Sequence, residues 1–347
     1  MYFRNLRLVV AAAAIVFTSC KKSPSTNPTP SNTSGVNVYT AGYINPLRGN
    51  AVAAYWKNGV SVKLTDSIAI VAGASGIAVQ GNDVYVSGTT GFENPIATYW
   101  KNGIATQLLA VQSPVSIQNI DALTSTASGI AVQGNNVYVV GWSTPTVASL
   151  WINGVLTKLA SDLYTSEANA ITLLGSDVYV AGFVNAKGYS VATYWKNGMP
   201  TQVLSNTLTI SVANAIVVNG SDVYLAGYTY NGYGKTVATY WKNGIAVNLE
   251  PTNSPNINSS ANGIYVQGND VYVAGDSADE AIYWKNGIQT ALTGEHANAV
   301  ILQGNNVYLA GSSFNASMNG AAVWINGIPQ IYGPPTSVAK AIAIVSH

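Results

Sequence analysis

The chain has 347 residues, of which only 8% are charged, and 15 Lys and Arg against 14 Asp and Glu leave a formal net charge of +1. Average soluble proteins carry about 25% charged residues, so Asn, Ser, Thr, Gly and Tyr must supply the surface polarity, and a basic nucleic-acid footprint is excluded. One Cys and two His leave little material for disulfides, thiol chemistry or metal sites, while 33 Gly, 21 Tyr and 48% hydrophobic residues exclude a disordered chain.

The N-terminus reads as an export signal. Arg4 and Arg7 precede an apolar run from Leu8 to Phe17, followed by Thr18, Ser19 and Cys20. The run is too short to span a bilayer, which needs ~20 residues. The segment Phe17-Thr18-Ser19-Cys20 resembles the lipobox of a bacterial lipoprotein signal, in the relaxed form of Bacteroidetes-type lipoproteins. An ordinary signal peptide with an incidental Cys is the alternative. If the resemblance holds, residues 1–19 are removed, Cys20 is acylated (a palmitate-type anchor), and the membrane is a partner through that lipid. Residues 20–35 then form a Pro, Ser and Thr-rich tether of up to ~50 Å at ~3.3 Å per residue.

From residue 36 to 347 the chain is one repeat. Trp-Lys-Asn-Gly begins at Trp56, Trp100, Trp195, Trp241 and Trp284, and Trp-Ile-Asn-Gly at Trp151 and Trp324. An Ala lies three residues before each Trp. Val-Tyr followed by a Gly recurs with tyrosines 39, 85, 138, 179, 224, 272 and 308, and Ala-x-(Gly/Ala)-(Ile/Val) begins at Ala74, Ala127, Ala168, Ala213, Ala261, Ala297 and Ala339. Three independent markers therefore each give seven copies, and a period of this size built from short strands marks propeller blades.

Each copy reads as four strands. Asn-Gly between apolar alternating runs is the strongest short hairpin signal, because a type I′ turn needs positive φ at both central residues. β-branched and aromatic residues fill the runs, and no helical period appears. The expected fold class is all-β, a seven-bladed β-propeller with four antiparallel strands per blade. The first copy lacks its Ala-x-(Gly/Ala)-Ile strand, and the chain ends with a spare one, Ala339 to Ile344. The C-terminal strand is thus expected to complete the N-terminal blade and remove an exposed edge, with an open solenoid as the alternative.

Ala-Asn-Ala-Ile-x-Val-x-Gly-x-Asp-Val-Tyr-x-Ala-Gly, followed by Ala-Thr-Tyr-Trp-Lys-Asn-Gly, resembles the HAF-type extracellular repeats of bacterial surface proteins over residues 36–345. Tyr-Trp stands where those repeats commonly have Phe-x-Trp. The resemblance implies a secreted propeller in the cell envelope, at the outer membrane or cell surface, and supplies no catalytic residue.

In an up-and-down blade the turns between strands one and two and between three and four share one face. Here those turns are nearly uniform, and the varied connections fall on the opposite face, the usual place for recognition. The aromatics Tyr43, Trp142, Phe183 and Tyr228 follow the second-strand Gly in four blades, and Tyr230 and Tyr233 extend the last of these loops. Such rings suit stacking on sugars or a flat protein epitope; the alternative is that they fill gaps between blades. The interblade connection Leu109 to Thr126 is a second candidate. Asp276, Asp279 and Glu280 form the densest acidic cluster, read mainly as a solvated turn, with Ca²⁺ binding or acid-base chemistry as the sharper readings. Asp-Ser-Ala at 276–278 and Asp-Ser-Ile at 66–68 look like a Bacteroidetes O-glycosylation sequon. Glu295 and His296 lie in the shortest interblade loop, with no nucleophile elbow, metal motif or phosphate loop beside them. Asp83, Asp177, Asp222 and Asp270 recur beside the first turn and read as turn capping.

The expected function is a lipid-anchored binding module for an extracellular glycan or protein, with no nucleic acid and no required cofactor. The alternatives are a polysaccharide hydrolase or lyase using the acidic residues and His296, and a purely structural envelope protein.

Overall fold

The computed structural model describes residues 35–45, 50–66, 71–92, 94–110, 124–186, 188–203, 210–231, 233–249, 257–314 and 319–346. Cys20, most of the tether, residues 67–68 of the second sequon and the middle of the Leu109 to Thr126 connection lie outside them.

Among the described residues, twenty-eight strands form seven four-stranded antiparallel sheets. β1 (Val36–Ile44), β2 (Val52–Lys57) and β3 (Val60–Lys63) begin blade 1, and β4 (Val71–Gln80), β5 (Asp83–Gly91), β6 (Ile96–Lys101) and β7 (Ile104–Gln107) make blade 2. Blade 3 is β8 (Ser125–Gln133), β9 (Asn136–Ser143), β10 (Val147–Ile152) and β11 (Val155–Lys158). Blade 4 is β12 (Ser166–Leu174), β13 (Asp177–Ala186), β14 (Tyr189–Lys196) and β15 (Met199–Gln202). Blade 5 is β16 (Ser211–Asn219), β17 (Asp222–Tyr230), β18 (Thr236–Lys242) and β19 (Ile245–Asn248). Blade 6 is β20 (Ser259–Gln267), β21 (Asp270–Ser277), β22 (Glu280–Lys285) and β23 (Ile288–Ala291). Blade 7 is β24 (His296–Gln303), β25 (Asn306–Phe314), β26 (Asn319–Ile325) and β27 (Ile328–Ile331). The last strand, β28 (Ser337–Ser346), pairs with β1 from Val36↔Ser346 to Ile44↔Ser337, so the expected closure is present.

The hydrophobic core is divided among seven interfaces, each spanning two neighbouring blades. Between blades 2 and 3, for example, Tyr85, Ala97 and Leu108 meet Ile130, Val139 and Trp151; between blades 7 and 1, Tyr308, Ala321 and Tyr332 meet Val38, Ala54 and Trp56. All seven repeat Trp side chains are fully buried. The small residue three positions before each Trp lets the next blade approach, and its backbone N–H crosses the interface. Ala97, Ala148, Ala192, Ala238 and Ala321 donate to the hydroxyls of Ser125, Ser166, Ser211, Ser259 and Ser337 on the following blade, at 2.8 to 3.0 Å. A buried serine donor-acceptor thus satisfies a backbone group that would otherwise be costly to bury.

The seven Asn-Gly hairpins adopt the expected turn, with Asn φ of 49 to 51° and Gly φ of 79 to 85°. Each Asn also accepts a bond from the second strand, as in Val84 N–H to Asn102 Oδ1 at 2.9 Å, and donates to the residue that opens that strand, as in Asn102 Nδ2 to Asp83 Oδ1 at 2.7 Å. The recurrent aspartates, expected to cap the first turn, thus brace the second hairpin. Asp83, Asp177, Asp222 and Asp270 each pair with the lysine ending the third strand (Lys101, Lys196, Lys242 and Lys285) at 2.8 to 3.0 Å. Those lysines lie 5.1 to 5.2 Å from the ring centres of Tyr85, Tyr179, Tyr224 and Tyr272. Where Asn136 and Asn306 replace the Asp, Ile152 and Ile325 replace the Lys. Charge and counter-charge therefore come and go together in six blades, and blade 1, with Asn37 and Lys57, is the exception.

Candidate binding site at the mouth of the central channel

The strands carrying Ala-x-(Gly/Ala)-(Ile/Val) pack against one another around the axis. Their convergence explains the small residues: a Cβ on Gly263 would fall 2.9 Å from the Ala299 Cα of the next blade. Each of these strands also carries a β-bulge at the variable x. Pairing jumps from Ala74 to Gly76, Ala127 to Gly129, Ala168 to Ala170, Ala213 to Ala215, Ala261 to Gly263 and Ala297 to Ala299, and Lys340 is the residue passed over in β28. A bulge leaves one residue out of the ladder and re-aims its side chain. The seven residues so placed are Ser75, Ser128, Asn169, Asn214, Asn262, Asn298 and Lys340, all polar between small neighbours. The second-strand Gly lies across from the bulge, where a Cβ on Gly227 would sit 1.9 Å from the Val212 carbonyl oxygen.

Four of the bulge residues latch their blade to the next. Asn169, Asn214, Asn262 and Asn298 donate from Nδ2 to the carbonyls of Ala213, Ala261, Ala297 and Ala339, at 2.8 to 3.2 Å. Blades 1 to 3 have Lys340, Ser75 and Ser128 instead. Above the ring opens a cavity of ≈ 880 Å³ to which every blade contributes, with its largest share from blades 1 and 2. Lys340 stands in this cavity with no hydrogen bond or ion pair to any described residue. The surrounding protein pulls its ammonium below the usual lysine range, partly offset by the Asp276 charge.

Sequence reasoning placed the aromatics on this face, and of the six the structure sets Tyr43 alone against the cavity. Tyr43 lines the cavity and lies over the next blade, its Cδ1 3.9 Å from where a Gly73 Cβ would stand. Trp142, Phe183 and Tyr228 occupy the equivalent register opposite Thr126, Glu167 and Val212, and all are half-buried. Burial raises the phenols of Tyr43 and Tyr228 and the carboxyl of Glu167. Tyr230 meets Tyr228 edge-on, with centroids 6.1 Å apart and planes at 62°, whereas Tyr233 is exposed beyond the strand end. Blades 3 to 5 thus form an aromatic sector.

Blades 6 and 7 form a polar sector. Asp276 fills the position that holds an aromatic in those blades. One carboxylate oxygen accepts from the Ala297 N–H at 3.1 Å and lies 3.4 Å from His296 Nδ1, and the other accepts from Asn262 Nδ2 at 2.8 Å. The Asp276 carboxylate holds His296 above the usual imidazole range against the opposing effect of burial. The acidic cluster read from the sequence is divided: Asp279 and Glu280 sit exposed on the β21–β22 turn, where Ala278 and Asp279 have positive φ, and Glu295 precedes His296 on the rim. No group of three or more His, Cys, Asp or Glu side chains able to hold a metal ion occurs among the described residues.

Sequence reasoning missed Lys340 and the asparagine ring as site residues. The available signal was a polar residue seven times at x, where a strand between two packed blades should be apolar or small.

No protein-family model matches the chain, and no curated protein matches it. Among solved structures it is similar to a Bacteroides fragilis NCTC 9343 protein assigned provisionally as a 6-phosphogluconolactonase. The identity is 12%, with 93% of this chain and 100% of that one covered and a TM-score of 0.47. It is also similar to the β-propeller domain of the Trilobed protease from Pyrococcus furiosus, at 9% identity, 86% and 92% coverage and a TM-score of 0.46. A chain of a nidogen/laminin complex gives 12% identity, 89% and 98% coverage and a TM-score of 0.43. The likeness extends to the fold alone.

Proposed function

We propose that the chain is a binding propeller of the bacterial cell envelope, held by a lipid on Cys20 and recognising an extracellular saccharide at the mouth of its central channel. The observation that carries this reading is the ≈ 880 Å³ cavity, lined by asparagine amides, hydroxyls and Tyr43, on the same face of the disc as the half-buried rings of blades 3 to 5. Sugar rings stack on aromatic faces and present many hydroxyls, so an aromatic sector beside an amide ring offers both halves of the recognition. The export signal, the lipobox and the HAF-type repeat pattern support the envelope address.

Glycan-array binding followed by titration of the wild type and the Trp142→Ala, Tyr230→Ala double variant tests this. Loss of binding in a folded variant supports it, and no saccharide binding by the wild type overturns it. A second reading, a polysaccharide hydrolase or lyase, is favoured by one feature: Asp276 and His296 lie in contact, a potential proton acceptor and donor, and Asp276 is bonded to Asn262, which lines the cavity. A cleavage screen with Asp276→Asn separates the two, since a binding module turns over nothing.

A further inference from the structure

The uniform face carries an apolar feature that packing within the monomer does not use. The residue after each Asn-Gly turn is Val60, Ile104, Val155, Met199, Ile245, Ile288 or Ile328, aliphatic in all seven blades and 61 to 75% exposed. Single exposed aliphatics are ordinary. Seven at one structural position, in copies that otherwise diverge to Ser, Thr, Gln, Leu and Pro one and two residues later, make a regular ring of apolar contacts at the rim of the disc.

Two further observations say what covers the ring. The first is where the chain enters. Val38 and Asn37, at the start of β1, bond the Asn58 side chain of the first Asn-Gly turn, at 2.8 Å each. Residues 1–34 therefore join the domain on this same face, and they contain Cys20, Lys21 and Lys22. The second is charge. Each exposed aliphatic pairs across the hairpin with the residue ending the third strand, a lysine in five blades and isoleucine in two. Four of those lysines are already neutralised by Asp83, Asp177, Asp222 and Asp270. The rim thus offers aliphatic tips flanked by lysine stems, four of the five with their charge balanced, as suits the interfacial zone of a bilayer and does not require anionic lipid.

We infer that the uniform face rests on a lipid surface, with the aliphatic ring in the headgroup region and the channel mouth directed away from the membrane. This placement rests on the ring and, through the lipid proposed for Cys20, on the entry of the chain, and is independent of what the mouth binds.

The test uses the full chain carrying Cys20→Ser, with one new cysteine labelled by an environment-sensitive fluorophore. Ile104→Cys and Ile245→Cys probe the uniform face; Leu163→Cys, exposed in an interblade loop, probes the other. With phosphatidylcholine vesicles, emission at 104 and 245 should rise about twofold or more while that at 163 stays unchanged. The response should persist in about 0.5 M salt, which screens charges beyond a few ångströms. A response only at 163, no response at any site, or burial of 104 and 245 in a dimer without lipid overturns the proposal. Incorporation of labelled palmitate into the Cys20 chain and not into Cys20→Ser tests the anchor separately, so failure of one is not failure of the other.

Discussion

The two faces of the disc are built by the same seven repeats and differ in what the repeats keep. On the uniform face each blade reproduces a hairpin Asn, an Asp or Asn that holds it, and an exposed aliphatic residue, because backbone geometry and paired partners determine each position. On the variable face the same strands end in Tyr, Thr, Trp, Phe, Tyr, Asp and Ser at one equivalent position, from blade 1 to blade 7. The Gly before that position cannot vary without colliding with a carbonyl, and the residue after it varies freely. The scaffold is therefore constrained up to the channel mouth and released there.

The strongest way to break this comparison is to open the ring. Deleting residues 339–347 removes most of β28, exposes the edge of β1 and deprives Asn298 of its acceptor on Ala339. A domain with a usual margin of ~5 to 15 kcal/mol should unfold or melt far below the wild type. Circular dichroism melting checks this; an unchanged Tm would mean that closure contributes nothing. Next in size is Gly227→Ala. Its Cβ would stand 1.9 Å from a main-chain oxygen that cannot swing away, so a loss of about 2 to 4 kcal/mol is expected in denaturant titrations. Gly244→Ala, at positive φ with open space around it, should cost less, of the order of 1 kcal/mol.

How far the sequence alone reaches follows the same division. The blade count, the type I′ hairpins and the closing strand were legible because each rests on a short-range signal repeated seven times, and repetition removes the ambiguity of any single Asn-Gly or Val-Tyr. The interface serines 125, 166, 211, 259 and 337 were equally periodic, yet a Ser two residues before an Ala has no local conformational signature. Their role exists only when the neighbouring blade is present. The asparagine ring and Lys340 were hidden for a related reason: a β-bulge alters which way a side chain points without altering composition. Asp276 and His296 were both singled out, but their contact joins blades 6 and 7 and could not be read from separation along the chain.

The aromatic sector allows the comparison to be sharpened on the variable side. Stacking contacts lose roughly 1 to 3 kcal/mol when a ring is truncated, by analogy with base stacking on aromatic side chains, whereas a ring that fills a blade interface costs stability instead. Trp142→Ala with Tyr230→Ala should weaken saccharide binding about tenfold or more, measured by calorimetry, and lower Tm only modestly because both rings are half-buried. Trp195→Ala is the contrast: that ring is fully buried, and its removal should cost about 3 to 5 kcal/mol and disturb both faces alike. If the double variant melts as low as Trp195→Ala, the mouth aromatics belong to the packing.

The smallest effects belong to the charged clamps of the uniform face. Hydrogen bonds from Asn243 and then Lys242 hold the Asp222 carboxyl below its ordinary range, and Lys101 and Asn102 do the same for Asp83. A depressed carboxylate pKa contributes stability that is present above the unfolded value, near 4, and lost as pH falls through the lower folded value. These groups are solvent-exposed, so each clamp contributes little. Replacing Asp83, Asp177, Asp222 and Asp270 together by Asn imitates the residue already present in blades 1, 3 and 7. The variant should melt slightly below the wild type at pH 7, and the gap should close as pH is lowered from about 4 to about 2. A gap that stayed constant over that range would show that the aspartates act through shape and hydrogen bonding to the hairpin Asn, with their charge irrelevant to the uniform face.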